Sequence, residues 1–277
     1  SKKMNNKIFI ASIVGFTLIA SACVQIKKQN ENPNILFILT DDQGYQDLGC
    51  YGHPYIKTPN LDKLAREGTR FTQFYVNSTV CSPSRSAFMV GRYPARDRIH
   101  GYIAHNAKNR RRNMPNWLDE HVTTIADIAK QAGYVTGHYG KWHLGHAQNA
   151  PDPSEYGFDE HRTFISNGKG WDEYGNLTDE DAVHAAIKKD QQKVDPGFWA
   201  NSTDFFVDEA IKFLERNKEQ NFYLNLWTFL PHSPLKPSQK QLDEYSDLEE
   251  VTPDAFSGWM REDALNEEHF ERYLRTY

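Results

Sequence analysis

Two long apolar runs, at residues 34–40 and 222–229, are bounded by polar or turn-forming residues. Continuous apolar runs of this length are typical of strands that are buried on both faces of a parallel sheet. A third strand is predicted at residues 134–139, after a helical segment. Because strands alternate with helices along the chain, the pattern predicts an α/β fold in which helices cover both faces of a sheet.

The helices predicted between these strands carry local start and stop signals. Thr58-Pro59 begins the first helix and Gly68 ends it, because proline suits the first helical position and glycine the residue after the last turn. Thr124 and Asp127 form a capping box at the start of the second. The predicted core-facing positions are Leu61 and Leu64 in the first helix, Ile125, Ile128 and Ala129 in the second, and Phe206, Ala210, Phe213 and Leu214 in the third.

Two segments break this alternation. Residues 146–200 contain loop-forming stretches such as 149–154 and 166–171, and they are predicted to be a loop-rich insertion of the kind that is often functional. Near the end of the chain, an apolar helical stripe has no stop signal after it; it consists of Phe270, Tyr273, Leu274 and Tyr277. We therefore expect the chain to end inside a helix and to be the N-terminal part of a longer protein.

Residues 1–22 are predicted to be an export signal rather than part of the fold. A basic start precedes a short apolar run over residues 8–20, and small residues lie immediately before Cys23. The run is shorter than the roughly 20 apolar residues that a transmembrane helix needs. The arrangement resembles a bacterial lipoprotein signal with Cys23 lipidated, residues 23–33 as a polar tether and residues 34–277 as the globular domain. We expect a periplasmic or outer-membrane-anchored lipoprotein that touches the membrane through its lipid alone, with plain secretion as the alternative.

The net charge limits the kinds of partner that the protein can bind, and the cysteine count limits its possible disulfides. The net charge of −5 and the isoelectric point near 6.1 argue against nucleic acid, because phosphate binding needs a basic face. The three cysteines are Cys23, Cys50 and Cys81, an odd number for an exported protein. Lipidation of Cys23 would leave Cys50 and Cys81, which either form a disulfide or have separate fates.

Polar residues follow each of the three predicted strands. Asp41-Asp42 follow the first strand, Lys141 and His143 follow the second, and His232 follows the third. Because ligands of open α/β sheets bind at the carboxyl ends of the strands, we expect these side chains to converge there, outside the core. Paired carboxylates suit a hard cation. An acidic pair in a turn is commonly just solvated, however, and a lone histidine is commonly structural.

Cys81 lies at the predicted N-terminus of a further helix. Ser82 suits the capping position, Pro83 suits the first helical position, and Arg85 lies one turn further on. The exposed N–H groups of such a terminus favour anions. A cysteine there is either a thiolate nucleophile of low pKa or a buried inert residue. The spacing from Cys81 to Arg85 does not match the tyrosine-phosphatase loop.

Motifs along the chain resemble, in order, those of the type I sulfatase family. Cys-Ser-Pro-Ser-Arg at 81–85, with Gly-Arg at 91–92, matches the signature whose cysteine is oxidised to formylglycine. The remaining matches are the opening strand with its aspartate pair at 34–44, the first helix at 58–68, Gly-Lys-Trp-His-Leu-Gly at 140–145 and Pro-His-Ser-Pro at 231–234. The resemblance implies an alkaline-phosphatase-like fold with a mixed, mostly parallel sheet. These enzymes complete their metal site with an acidic pair and a lysine that would lie downstream of residue 277.

The resemblance also implies a set of residue roles. Asp41, Asp42 and the modified Cys81 would bind calcium, with magnesium as the second choice. Of the two hydroxyls on a hydrated aldehyde at residue 81, one would attack the sulfate ester and the other would allow sulfate to leave. In the implied machinery Arg85 steadies the modified residue, Lys141 contacts it and the sulfate, and His143 takes a proton. His232 faces the leaving oxygen or a sulfate oxygen, as a hydrogen-bond donor or an acid.

The implied partners are a sulfated carbohydrate or another sulfate ester, and the maturation enzyme that generates formylglycine. Two alternatives stay open: a phosphonate or phosphate monoester hydrolase of the same superfamily, and a catalytically dead glycan-binding lipoprotein. Residues 96–118 are strongly basic and either grip a sulfated polysaccharide or form a solvated face. The basic side chains concerned are Arg96, Arg98, Lys108, Arg110, Arg111 and Arg112.

Overall fold

The computed structural model describes residues 32–145, 150–164, 170–171, 196–232 and 237–245. Its contacts divide the chain into two units, Ser1–Pro33 and Asn34–Tyr277, and the architecture below belongs to the second unit. The predicted export signal with Cys23 and the apolar stripe near the C-terminus lie outside the described residues. Among the described residues, no helix combines the length and the apolar character that crossing a bilayer requires.

A mixed sheet forms the centre of the second unit. Its strands are β1 (Ile35–Asp41), β2 (Val135–Lys141), β3 (Glu160–Phe164), β4 (Gly170–Trp171) and β5 (Phe222–Pro231). They lie in the order β1-β5-β2-β3-β4. The pairs β1·β5, β5·β2 and β2·β3 are parallel, whereas β3·β4 is antiparallel. The predicted mixed, mostly parallel sheet is therefore confirmed.

Helices connect the strands of this sheet. They are α1 (Pro59–Glu67), α2 (Cys81–Val90), α3 (Asn106–Arg111), α4 (Ile125–Gln131), α5 (Pro196–Asn217) and α6 (Gln239–Asp243). The predicted signals operate at their ends: Pro59 begins α1, Gly68 caps it, and Thr124 and Asp127 form the capping box of α4. Short 3-10 helices occur at Gly49–Tyr51, Pro94–Asp97 and Pro153–Tyr156.

Two apolar clusters cover the two faces of the sheet. Successive side chains of β5 point in opposite directions, so that Tyr223 and Trp227 enter one cluster and Leu224 and Leu226 enter the other. The first cluster also receives residues of α2 and α4, and the second is covered by α5. The three buried core-facing residues of α5 are as predicted: Phe206, Ala210 and Phe213. Helices therefore lie on both faces of the sheet, as the alternation indicated.

Strand β1 differs from the prediction that it is fully buried. Phe37 and Leu39 pack against the first cluster, but Ile35, Leu36 and Ile38 are 39%, 47% and 50% exposed. The physical reason is its place at the edge, because β1 pairs with β5 along one side and, among the described strands, with nothing along the other. An apolar run therefore indicated the strand but not the burial of both its faces.

The apolar positions predicted to face the core are exposed in two helices. In α1 the side chains of Leu61 and Leu64 are 42% and 63% exposed. In α4, Ile128 is 58% exposed, while Ala126 and Ala129 are buried. The buried face of α4 is therefore its alanine face, since small side chains allow the helix to approach its neighbours closely. The prediction was therefore wrong for the leucines of α1 and the isoleucines of α4, and it is confirmed for Ala129.

The segment at 146–200 is not purely loop. It contains β3, β4 and the beginning of α5. Strand β3 pairs with β2 from Gly137 to Lys141, and it is fixed there by Asp159, whose carboxylate accepts hydrogen bonds from the backbone and hydroxyl of Thr136, both at 3.0 Å. The predicted insertion therefore extends the sheet beyond β2.

Candidate active site

Three strand ends meet at one edge of the sheet. Strands β1 and β2 end at Asp41 and Lys141, and His232 directly follows β5, which lies between them. The carboxylate of Asp41 accepts a hydrogen bond from the Lys141 ammonium. Nε2 of His232 lies 3.7 Å from a carboxylate oxygen of Asp42. The structure thus brings together side chains that are up to 190 positions apart in the sequence.

Helix α2 brings Cys81 and Arg85 to the same edge. The helix begins at Cys81 itself, with Val80 in the N-cap position, and it ends at Gly91 in the left-handed conformation. Ser82 was predicted to cap this helix, but its hydroxyl makes tertiary contacts instead. Ser82 Oγ accepts from the N–H of Ile103 at 2.9 Å and donates to the carbonyl of His143 at 2.7 Å. Ser82 therefore ties the start of α2 to two other segments of the site.

A buried charge cluster holds this edge together. Asp41 is 4% exposed, and its carboxylate contacts the Lys141 ammonium and lies 3.5 Å from Nη2 of Arg85. Arg85 also donates to the carbonyl of Lys141 at 3.0 Å and lies over the ring of Trp227. Burial lowers the pKa of Arg85, and the charge of Asp41 opposes that effect. Lys141 was expected outside the core; it is fully buried because its charge is paired there.

Cys81 lies beside this cluster as a half-buried free thiol. Burial raises the pKa of the thiol and outweighs the lowering effect of Lys141. This is the reverse of what a thiolate nucleophile requires, since such thiols have lowered pKa values. Cys50 is also free, so the disulfide between Cys50 and Cys81 does not form.

Backbone strain accompanies two of the predicted site residues. Asp42 and His143 adopt φ angles of 65° and 56°, in the left-handed region that non-glycine residues seldom occupy. His143 is buried, and its Nε2 lies 3.2 Å from the carbonyl oxygen of Ile103. Asp42, in contrast, is 55% exposed at its side chain. Such strain concentrates at functional sites, where the surrounding structure has to hold it in place.

The acidic side chains provide the oxygen ligands that a hard cation prefers, but the described residues provide too few of them. Asp41 and Asp42 present carboxylate oxygens at the end of β1, and calcium prefers roughly six to eight oxygen ligands. Among the described residues, no group of three or more His, Cys, Asp and Glu side chains is arranged to hold a metal ion. The charge of Asp41 is, moreover, shared with Lys141 and Arg85. The described residues therefore supply too few oxygen ligands to complete a calcium site.

The basic residues between 96 and 118 differ in their exposure. Arg96, Arg98, Arg110 and Arg111 are exposed. Lys108 and Arg112 are half-buried and converge on the ring of Tyr102, which lies 6.4 Å from the imidazole of His143. Sequence reasoning missed Tyr102, for which the one available signal was its place within the basic stretch.

Comparison with known proteins places this geometry in context. The family model described as Sulfatase matches residues 33–277. N-acetylgalactosamine-6-sulfatase of Homo sapiens is 33% identical over 227 residues, which cover 75% of this chain and 41% of that protein. Arylsulfatase A of Homo sapiens is 49% identical over 113 residues, which cover 41% of this chain and 21% of that protein. The chain thus spans less than half the length of these relatives.

A solved structure, described as a complex with its substrate D-glucosamine-2-N,6-O-disulfate, has a similar fold. The TM-score is 0.57 at 27% sequence identity, and the match covers 78% of this chain and 38% of that one. The likeness confirms the predicted α/β fold.

Proposed function

Since the chain belongs to the sulfatase family, we propose that the protein hydrolyses sulfate esters at residue 81. The observation that carries the proposal is the placement of Cys81 beside the buried charge cluster of Asp41, Lys141 and Arg85. The cluster contains two cations and one anion, and the N-terminus of α2 adds a partial positive charge. The local field therefore favours an anionic ester, although the whole chain is acidic.

We propose that residue 81 acts as formylglycine rather than as cysteine. The free thiol is held protonated by burial, which disfavours attack by a thiolate. A hydrated aldehyde would supply two hydroxyls on one carbon, one to attack and one to release the product. The maturation enzyme that makes this change is therefore a required partner of the protein.

Neighbouring side chains have complementary roles in this proposal. Arg85 is fixed by the Lys141 carbonyl and by Asp41, so it holds residue 81 in place from within the helix. Lys141 presents its ammonium at the same edge and stabilises negative charge on the sulfate oxygens. His143 takes the proton from the hydroxyl of residue 81, and His232, half-buried beside Asp42, donates a hydrogen bond or a proton to the leaving oxygen.

Calcium is the cation that the two aspartates suit best. Asp41 and Asp42 would hold it, together with residue 81 once that residue carries hydroxyls, and further oxygen ligands are needed to complete the site. When bound, the cation would neutralise negative charge near the sulfate. Magnesium suits the same donors less well, because it demands a stricter octahedral geometry.

The substrate class that the relatives favour is a sulfated carbohydrate. The human relative is named N-acetylgalactosamine-6-sulfatase, and the solved structure contains a disulfated glucosamine. We propose that the reaction takes place outside the cytoplasm, with residues 1–22 as the export signal and Cys23 as a lipid anchor. Mass spectrometry of the mature N-terminus tests this placement, and an unprocessed N-terminus beginning before Cys23 would refute it.

The test of sulfate ester hydrolysis uses the complete gene product, produced with and without the maturation enzyme. We expect hydrolysis of an aryl sulfate only after maturation, and a mass shift at Cys81 that corresponds to formylglycine. Cys81→Ser should lose turnover, whereas Cys50→Ser, which changes the other free cysteine, should keep it. Full activity with an unmodified Cys81 thiol would refute the proposal.

The same preparation separates the two alternatives. A higher rate with an aryl phosphonate than with the aryl sulfate would make the protein a phosphonate hydrolase. Binding of sulfated glycans without turnover of any ester, after confirmed maturation, would make it a glycan-binding protein.

A further inference from the structure

A tyrosine ring flanked by two cations lies next to the candidate active site. Nζ of Lys108 lies 4.5 Å from the centre of the Tyr102 ring, and Cζ of Arg112 lies 4.7 Å from it. The lysine also donates to the Tyr102 hydroxyl, and the arginine donates to the Tyr102 carbonyl. These three residues, Tyr102, Lys108 and Arg112, are called the basic platform below.

Two contacts place the basic platform at the rim of the site. The Tyr102 ring lies 6.4 Å from the ring of His143. The next residue, Ile103, donates its N–H to Ser82 and presents its carbonyl oxygen 3.2 Å from Nε2 of His143. The hydrogen bond from Lys108 lowers the pKa of the Tyr102 phenol. Cys81 raises that pKa by a smaller amount, which indicates that the phenol and residue 81 are close enough to interact electrostatically.

The segment that carries the basic platform is held in place by a buried asparagine. Asn109, at 0% exposure, accepts from the N–H of Ala104 at 2.8 Å and donates to its carbonyl at 2.6 Å. Asn109 lies in α3, directly after Lys108, and Ala104 follows the loop of Tyr102. The two cations are therefore positioned before any ligand arrives, which lowers the entropy cost of binding.

Among the described residues, no acidic side chain balances the charge of the basic platform. Within the part of the chain that the structure describes, neither Lys108 nor Arg112 has a carboxylate within ion-pair distance, whereas Arg92 pairs with Asp97 and Lys130 with Asp159. Nε of Arg112 is also buried without a hydrogen-bond partner. Two like charges around one ring repel each other, so an anion bound between them would be stabilised. Tyr102 is 38% exposed, which leaves room for a ligand to approach.

We propose that the basic platform binds a second sulfate group of the substrate while the ester to be cleaved lies at residue 81. The inference rests on the proposed sulfate ester hydrolysis and narrows its substrate to saccharides that carry at least two sulfates. Arg112 supplies a fork of N–H donors for the sulfate oxygens, and Lys108 adds a point charge. The other arginines of the basic stretch take no part in this recognition.

The test compares two sugars that differ at the 2-amino group, which carries acetyl in one and sulfate in the other. Each sugar is titrated by calorimetry into the complete gene product carrying Cys81→Ala, which cannot form formylglycine and therefore cannot turn the sugar over. The probes are N-acetylglucosamine-6-O-sulfate and glucosamine-2-N,6-O-disulfate. We expect the disulfate to bind about tenfold more tightly, as one charge-assisted contact provides. Lys108→Gln and Arg112→Gln should each remove most of this preference. Arg111→Gln, an exposed change on the same helix, should keep it, and added salt should weaken it.

Each outcome of the titration decides the inference. Equal affinity for the two sugars, no binding of the disulfate, or an equal loss in Arg111→Gln would overturn it. If a glutamine variant unfolds at a lower temperature, Lys108→Arg provides a second variant, which should restore the preference for the disulfate. Hydrolysis of an aryl sulfate by the protein with Cys81 intact is measured separately, so its failure would refute the proposed function without being confused with failure of the basic platform.

Discussion

Gly140→Ala is expected to be among the most damaging single-methyl additions in this fold. Gly140 precedes Lys141 in β2, its φ angle is +114°, and it pairs with Trp227 of β5. A Cβ atom there would lie 1.9 Å from the backbone oxygen of Trp227 and 2.7 Å from its carbonyl carbon. No rotamer change relieves a clash with backbone, so β2 and β5 would have to separate at the point where Lys141 enters the site.

The cost has two parts that a control can separate. A left-handed φ costs an alanine roughly 1–2 kcal/mol, and lost ladder hydrogen bonds or overpacking add about 1–3 kcal/mol. Gly52→Ala supplies the control, because Gly52 has a φ of +97° but nothing within 4 Å of its added Cβ. We expect Gly140→Ala to lower the free energy of unfolding by about 2–5 kcal/mol, against about 1–2 kcal/mol for Gly52→Ala.

Urea unfolding monitored by tryptophan fluorescence measures both variants, since Trp227 is buried at the site of the clash. The fraction of Gly140→Ala that folds should also have lost sulfate ester hydrolysis, because the displaced strand carries Lys141. Equal destabilisation in the two variants would refute the argument from backbone contact.

Three further changes test other contacts. Lys141→Ala should lower the free energy of unfolding by about 3 kcal/mol because it leaves a buried carboxylate with one partner fewer. Asp42→Ala should lower it by only about 1 kcal/mol, because the side chain is 55% exposed and the main cost is that of alanine at a left-handed φ. Both changes should abolish turnover, and equal stability losses would contradict the burial argument. Thr124→Ala should lower the free energy of unfolding by about 1–2 kcal/mol, since the hydroxyl caps α4 and also donates to a buried carbonyl. Ser238→Ala, at an exposed cap, should lower it by only about 0.5 kcal/mol. A larger loss for Ser238→Ala in thermal unfolding would contradict this comparison. Burial raises the pKa of Asp159, but hydrogen bonds from Lys130 and Thr136 outweigh that effect, so the pKa lies below its ordinary value. The ionised form therefore stabilises the fold above the ordinary pKa of an aspartate, and this contribution disappears as pH falls through the lowered pKa of the folded state. Asp159→Asn should thus lower stability at pH 7 with a difference from the wild type that shrinks below about pH 4, and a constant difference across this range would exclude the mechanism.

Local signals in the sequence were sufficient to locate elements. Helix start and stop signals act on residues only a few positions away, so they can be recognised without knowing the fold. Examples are the capping box at Thr124, Pro59 at the start of α1 and Gly68 at its end. Burial depends instead on distant neighbours. Ile38 is half exposed because β1 lies at the edge, and no property of its own segment shows that.

The site was predictable in outline for a general reason. Parallel strands present their carboxyl ends at one edge, so Asp41 and Lys141 had to lie near each other once their strands were recognised. Their direct contact was not predictable, and it moved Lys141 from the solvent into the core. Ser82 was misassigned because a capping serine and a serine that bonds another loop have the same local sequence.

The strand order has a consequence for how the protein folds while it is being synthesised. β1 is synthesised first, yet its described partner is β5, and the paired residues Ile35 and Tyr223 are separated by almost the whole length of the described chain. At roughly 5–20 residues per second, a ribosome needs about ten to forty seconds to make that stretch. During this interval β1 and β2 both lack the strand that joins them, so the sheet cannot close. Cys81 therefore leaves the ribosome on a segment without its final neighbours, so the maturation that we propose for it can take place before β5 arrives.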